Sequence, residues 1–364
     1  MITNENNITG RSLDPLPKEV CQKFNHLWFL VGNTPMLEIK YSYKGKNGKI
    51  YVKCEHYNLT GSIKDRMALY ILQEAYRNGA IKQGDTIVEA TSGNTGIAFA
   101  SIGKALGHEV HIIMPNWLSA ERVNIIKSMG AKITLVSKEE GGFLGSIAIA
   151  EKLAANDPNI FLPRQFDNNY NVEAHSFTTG PEIIKQLNTI GVSPDAFVAG
   201  VGTGGTIMGV AGFLKNRNND IVLKAIEPSE SPTLSTGYKV GSHRIQGISD
   251  EFIPNIMVLN ELSGIIKVND GDAILMAQNL ASSLGLAVGI SSGANVIGAI
   301  KISEELGREV NVVTILCDSN KKYLSTDLMK EEPVRDHYIT PEVKLIDYTP
   351  IGRLVDTGAV SFNN

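Results

Sequence analysis

Cysteine is scarce in this 364-residue chain, and Cys21, Cys54 and Cys317 are odd in number and far apart. That spacing suits neither a disulfide framework nor the paired ligands of a zinc site, so free thiols are expected. Basic charge is also lacking. A net charge of −4 offers no general attraction to nucleic acid. No apolar run approaches the roughly 20 residues that a membrane-spanning helix needs. The opening MITNENNITGRSLDPLP has neither a basic segment followed by an apolar one nor an Arg-rich amphipathic pattern. An untargeted cytoplasmic chain is therefore expected, with no membrane partner. There is no internal repeat. What remains, 43% hydrophobic and 20% charged residues, is ordinary for a globular protein long enough to form two domains that share a cleft.

Short β-branched runs alternate with longer segments of helical period, which predicts an α/β fold around mostly parallel sheet. Strands are expected at 49–55, 85–91, 109–115, 132–137, 196–202, 222–228 and 312–318. Helices are expected at 62–79, 94–106, 119–129, 142–155, 205–217, 271–284 and 293–306. The breaker Asn156-Asp157-Pro158-Asn159 suggests a domain boundary near 160, giving an N-terminal domain over 1–160 and a C-terminal domain over 161–330. The polar residues before Leu27 and the tail at 331–364 carry no interpretable motif. Ligands of open α/β sheets bind beyond the carboxyl ends of the strands, so the polar segments there are the places to look for chemistry.

Four such segments stand out. In Asn58-Leu59-Thr60-Gly61-Ser62-Ile63-Lys64-Asp65-Arg66, a turn leads into a helix with a lysine in its first turn. The positive end of the helix dipole disfavours an ammonium there and makes a nucleophilic amine easier to reach. In isolation, such a lysine is ordinarily just a solvated helix start. The segment Ala90-Thr91-Ser92-Gly93-Asn94-Thr95-Gly96 brings hydroxyls, an amide and bare N–H groups to a helix N-terminus, which suits a carboxylate. Gly200-Val201-Gly202-Thr203-Gly204-Gly205-Thr206 makes a phosphate cradle. The same run satisfies the dinucleotide fingerprint, with Glu227 at the end of the next strand in the place of a ribose-binding acid. By itself it would also serve an NAD-dependent dehydrogenase. Gly289-Ile290-Ser291-Ser292-Gly293 places two hydroxyls before a helix.

In this order the four segments resemble the cysteine synthase and cystathionine β-synthase family, the fold-type-II pyridoxal-phosphate (PLP) enzymes. Further matches are Gly32-Asn33-Thr34-Pro35, Gln165-Phe166-Asp167-Asn168, Thr178-Thr179-Gly180-Pro181-Glu182 and Phe252-Ile253-Pro254, so that the resemblance runs from about residue 27 to 326. It implies two open, mostly parallel twisted sheets flanked by helices, with PLP in the cleft between them. Lys64 would hold PLP and move the α-proton. Asn94 would bond the cofactor's 3-oxygen, and Thr91, Ser92, Thr95 and Gln165 would bind the substrate carboxylate, with Asn94 part of the same loop. Gly202, Thr203, Gly204, Gly205 and Thr206 would enclose the phosphate, and Ser291 would face the pyridine nitrogen. A neutral hydroxyl there does not keep the ring nitrogen protonated as an aspartate would, which favours β-elimination over transamination. The resemblance further implies a homodimer, small-molecule donor and acceptor substrates, and a mobile part over about 91–155 that closes on the substrate.

The chain departs from the family pattern in two places. Leu59 stands where proline is usual, and Asp250 and Glu251 stand where cysteine synthases commonly carry small residues. A carboxylate at Asp250 could orient or deprotonate an acceptor such as water or a thiol. The expected reaction is therefore β-replacement, in the first instance O-acetylserine plus sulfide to cysteine plus acetate. Cysteine desulfhydrase and cystathionine or lanthionine synthesis remain open, as does a non-catalytic relative. His108 and His111, three apart, do not form a metal motif, and no metal is expected.

Overall fold

The computed structural model describes residues 16–249, 251–307 and 309–354. Helix α1 (Lys18–Leu30) precedes an antiparallel hairpin, β1 (Met36–Tyr43) and β2 (Lys46–Cys54). Then follow α2 (Lys64–Arg77), β3 (Thr86–Ala90), α3 (Asn94–Leu106), β4 (Glu109–Pro115), α4 (Ala120–Ser128), β5 (Lys132–Val136), α5 (Gly142–Asn156) and β6 (Ile160–Phe161). The chain continues through α6 (Tyr170–Ala174), a π-helical turn at His175–Thr179, α7 (Gly180–Asn188), β7 (Ala196–Gly200), α8 (Gly205–Lys215), β8 (Val222–Pro228) and α9 (Thr233–Thr236). It ends with β9 (Gly264–Val268), α10 (Asp270–Leu284), α11 (Ile290–Leu306), β10 (Val312–Leu316) and β11 (Val343–Ile351).

The strands form a seven-stranded sheet in the order β11-β1-β2-β10-β7-β8-β9 and a four-stranded sheet in the order β5-β4-β3-β6. The small sheet is wholly parallel, and the large one is parallel from β2 to β9. This is the expected architecture of two mostly parallel sheets with helices packed on them. Because both faces are covered, the strands read as near-continuous apolar runs, yet the two-residue period still sorts each face. In β2, Ile50, Val52 and Cys54 join one core cluster while Tyr51 joins the opposite one. In β10, Val312 and Leu316 go with the first cluster, and Val313 and Ile315 with the second.

Sheet membership does not follow one cut near residue 160. The hairpin β1–β2 lies early in the chain but belongs to the large sheet, because β2 pairs with β10 in parallel register from Tyr51 to Cys54. The four-stranded unit is an insertion running from β3 to β6. All seven expected strands and all seven expected helices form, with ends shifted by a few residues. The added elements are α1, α6, α7, α9, β1, β6, β9 and β11. Helix α1 buries Phe24 and Leu27 in the core it shares with α2 and α3. Part of the uninterpreted tail is β11, which pairs antiparallel with β1 and carries Pro350, as an edge strand tolerates. Among the described residues, no helix is long and apolar enough to cross a membrane.

Strand β10 comes late in the chain but sits between β2 and β7. That reversal of strand order opens a crevice beyond the carboxyl ends of the strands. Cys317 follows β10, Gly200 ends β7, and Ala90 ends β3 on the small sheet. All the polar motifs described above are carried near these ends.

Candidate active site

A single cavity between the two sheets is lined by Lys64, Thr91, Ser92, Asn94, Thr95, Gln165, Gly202, Thr203, Gly204, Thr206 and Ser291. The fold thus brings together the expected site residues from segments far apart in the chain. Gly205 does not line the cavity itself; it is the first residue of α8. Asp250 lies outside the described residues.

Lys64 is the first residue of α2, which begins two residues later than expected and keeps the lysine in its first turn. The turn before it is tied to the end of β10: Ile63 N–H donates to Cys317 O at 2.9 Å, and Ser319 N–H donates to Gly61 O at 3.3 Å. Asp65 accepts from Thr60 N–H at 2.7 Å and from Thr60 Oγ1 at 2.5 Å, which closes the turn. Burial raises the Asp65 carboxyl to about 6. Leu59, which stands in place of proline, is exposed on this turn.

Two residues beyond Lys64, Arg66 enters a buried ion network. It meets Glu55 at 2.5 Å through Nε and Glu182 at 2.7 Å through Nη1 and Nη2, and Lys53 meets Glu182 at 2.8 Å. Thr34 Oγ1 donates to Glu55 at 2.7 Å. Two segments known above only from resemblance, around Thr34 and around Glu182, therefore converge on the helix that carries Lys64.

The loop after β3 is shaped by its own hydrogen bonds. Gly93 N–H donates to Thr91 Oγ1 at 3.0 Å, Thr95 Oγ1 donates to Gln165 Oε1 at 2.6 Å, and Gln165 Nε2 donates to Ala90 O at 3.0 Å. Asn94 Nδ2 donates to Asp318 Oδ2 at 2.7 Å, an oxygen that also accepts from Tyr323 OH at 2.5 Å. This orientation leaves Asn94 Oδ1 buried without a hydrogen-bond partner. A buried amide oxygen left without a partner calls for an occupant that completes it.

The loop after β7 wraps the start of α8. Gly204 has φ +89°, a region costly for any residue with a Cβ. At Gly202 a Cβ would stand 2.3 Å from Gly247 O, so only glycine lets the two backbones meet. Thr203 Oγ1 accepts from Asn171 Nδ2 at 2.8 Å, and Thr206 Oγ1 lies 3.3 Å from His175 Nε2. Bare N–H groups at a helix start, flanked by two oriented hydroxyls, fit a phosphate. The dinucleotide reading loses its acid: buried Glu227 accepts from the backbone N–H and the hydroxyl of Ser235 and does not line the cavity.

Ser291 is in the first turn of α11, which begins at Ile290 rather than at 293 as expected. Ser292 Oγ accepts from Cys317 N–H at 2.9 Å, which fixes the helix start against β10. The three cysteines are free thiols, as expected, and burial pushes both Cys54 and Cys317 up to about 12. Glu251, left open in the sequence, pairs with Lys239 at 2.8 Å. Among the described residues no cluster could hold a metal ion.

Several supporting residues were not legible beforehand. Arg122, from α4, is buried over Gly93, stacks 4.6 Å above the Tyr323 ring and donates to Gln246. Asn171 and His175 bond the hydroxyls of Thr203, in the loop after β7, and Thr206, in the first turn of α8. Burial lowers His175 to about 3, with nearby Arg66 adding to the effect, so it is neutral at physiological pH and bonds Thr179 and Thr206 through its two ring nitrogens. Replacing His175 with leucine is expected to weaken cofactor retention up to about tenfold, the worth of one neutral hydrogen bond. Titration of the cofactor-free protein, followed in the visible spectrum, measures it; unchanged affinity would show that Thr206 needs no brace.

A lysine, a glycine-rich loop at a helix start and an amide-bearing loop lining one crevice of an α/β fold are the parts that an enzyme using a phosphorylated aldehyde cofactor requires. The pattern that describes pyridoxal-phosphate dependent enzymes matches residues 27–318, and the chain belongs to that family. A probable cysteine synthase of Bacillus subtilis is 42% identical over 299 residues, which cover 82% of this chain and 96% of that one. A hydrogen sulfide-producing enzyme of Fusobacterium nucleatum is 54% identical, with a TM-score of 0.87 over 90% of this chain and 97% of the other. A variant of that enzyme with one aspartate replaced by asparagine, solved with an α-aminoacrylate intermediate, is 52% identical, with a TM-score of 0.89 over 92% of this chain and all of the other. Pyridoxal phosphate is the cofactor, and the chain is a PLP-dependent β-substituting enzyme acting on small molecules.

Proposed function

We propose that the enzyme exchanges the β-substituent of a serine-derived amino acid, with O-acetylserine as donor and sulfide as acceptor, yielding cysteine and acetate. The observation that carries this reading is the convergence of Lys64, the Thr91–Thr95 loop, the Gly202–Thr206 loop and Ser291 on one cavity. Lys64 holds the cofactor and moves the α-proton. Thr91, Ser92, Thr95 and Gln165 receive the substrate carboxylate, and Asn94 donates to the cofactor's 3-oxygen through the Nδ2 N–H that it does not give to Asp318. Gly202 to Thr206, including Gly205 at the helix start, hold the phosphate. Bound PLP supplies an electron sink for the α-carbon, and Ser291, a neutral group at the ring nitrogen, moderates it toward loss of the β-substituent. The four-stranded unit, which carries the carboxylate loop and Arg122, is the part that closes to exclude water. We place the enzyme in the cytoplasm as a homodimer; exposed Phe29 and Phe177 are apolar surface that a second copy would cover.

A second reading is release of sulfide from cysteine with water as acceptor. Support comes from the 54% identity to a hydrogen sulfide-producing enzyme and from Asp250, a carboxylate in the segment whose residues Gly247 and Ile248 line the cavity. A base there would activate water, whereas sulfide needs less help. The test is to add O-acetylserine, cysteine and serine in turn to the holoenzyme, with sulfide, water alone or homocysteine as acceptor, and to repeat this with Asp250→Ala. Under the second reading the alanine variant loses roughly 10²-fold or more of its water-dependent sulfide release and keeps the sulfide-accepting reaction. Acceptor ratios unchanged by the substitution would remove Asp250 from the chemistry.

A further inference from the structure

Against the strand that leads into the carboxylate loop lies a second cavity of about 250 Å³. Its walls come from β3, α5, the segment at 162–167 and Phe252, and they are mostly apolar. Four charged residues interrupt that character, and one of them is buried. Glu89 is only 5% exposed, and its Oε2 is buried without a hydrogen-bond partner. Burial pushes its carboxyl up to about 8, against the pull of the Arg164, Ala90 and Gln165 backbone N–H groups. The other charged groups around the cavity do not answer it. Arg164 is held by Glu151 through two bonds of 2.9 and 2.7 Å, and Asp167, of like charge, accepts from Asn255.

This cavity shares a wall with the active site. Phe166 lines both, and its ring stands edge-on to Phe143 of α5 at 5.7 Å and to Phe252 at 5.1 Å. Glu89 and Ala90 lead directly into Thr91 and Ser92. An occupant would therefore touch the strand end that presents the carboxylate loop and the ring that separates the two cavities.

We propose that this cavity is a second ligand site, for a small and largely apolar molecule carrying one cationic donor group, and that its occupancy is felt at the carboxylate loop. The apolar walls take the body of the ligand, and the cation completes Glu89. A carboxyl kept neutral by burial regains its charge beside a cation, so binding strengthens as the pH rises through the Glu89 transition. Glu151 and Arg164 pair with each other, and Asp167 is exposed and accepts from Asn255, which leaves Glu89 as the buried carboxyl that a cation would complete.

Calorimetry on the holoenzyme with benzamidine, benzamide and benzoate tests this, an amidinium being chosen because an alkylamine would compete with Lys64 for the cofactor. The expected result is one benzamidine per chain, bound at least tenfold more tightly than benzamide, with benzoate weakest and benzamidine affinity rising between pH 6.5 and 8.5. Glu89→Gln should bring benzamidine down to the level of benzamide, and Leu144→Trp, at an exposed rim position, should weaken all three. Saturating benzamidine should shift the KM for the amino-acid donor at least twofold in the wild type and not in Leu144→Trp. Absence of binding, binding indifferent to both substitutions, or displacement of benzamidine by the donor in simple competition would each overturn the site. A donor KM unchanged by saturating benzamidine would overturn its link to the loop. The binding arms do not depend on which donor and acceptor the enzyme uses.

Discussion

Lys64→Ala is expected to abolish turnover, by roughly 10³-fold or more, and to remove the visible band of covalently held cofactor while leaving the fold intact. The argument is positional. Lys64 is the first residue of α2 and lines the cavity that also holds the phosphate loop and Ser291. Alanine is a good helix former at that place, so no structural loss is expected. The Gly202–Thr206 cradle is untouched, and PLP should still bind, though reversibly. Visible absorption before and after gel filtration separates the two effects. A variant that keeps its band through filtration, or keeps more than a few per cent of turnover, would mean that another amine holds the cofactor.

The largest expected effect on stability belongs to Arg66→Ala, a loss of roughly 3–5 kcal/mol, because it strands two carboxylates away from water. Arg66 and Glu55 are fully buried, and Glu182 nearly so. Burial alone would raise Glu55; the Arg66 guanidinium, helped by Lys53, instead holds it down to about 2. The sign follows from that. A carboxylate depressed in the folded state contributes stability above its unfolded pKa of about 4.3, and the contribution is lost as the pH falls from there toward the folded value. Urea unfolding of the wild type should show a midpoint that drops below about pH 4.3, and Arg66→Ala should lower the midpoint already at neutral pH. A midpoint unmoved by the substitution would show that Lys53 alone neutralises the cluster. The network matters beyond stability, since it joins β2, α2 and α7 directly beneath the turn that presents Lys64.

Local chemistry explains most of what could be read before folding. The seven strands and seven helices expected from periodicity all form, because an apolar face repeating every two or three to four residues must be buried whatever its partner. The helix starts at Lys64, Asn94 and Gly205 were legible for the same local reason, since polar and glycine-rich turns sit where strands end. What escaped was weakly marked. The strand MLEIKYSY carries Glu38, Lys40 and Ser42 in alternation and lacks a β-branched run. Its companion β11 contains Pro350 and leaves five consecutive residues exposed. Helix α1 hides two apolar anchors in a polar opening.

By itself, the sequence determined the α/β class, the four polar segments and, through their joint resemblance, the cofactor, and it singled out Lys64 as the lysine proposed to hold it. These properties reside in short stretches whose chemistry does not depend on distant residues. Only the tertiary structure decided that Glu227 belongs to Ser235 and not to a ribose, that Arg66 gathers Thr34, Glu55 and Glu182 under the active helix, and that Asn94 is oriented by Asp318. It alone also revealed the partnerless Oε2 of Glu89, on the strand that leads into the carboxylate loop. The physical reason is separation along the chain: each pairing joins groups on different elements, and the crossing of β10 between β2 and β7 brings the ends of distant strands to one crevice.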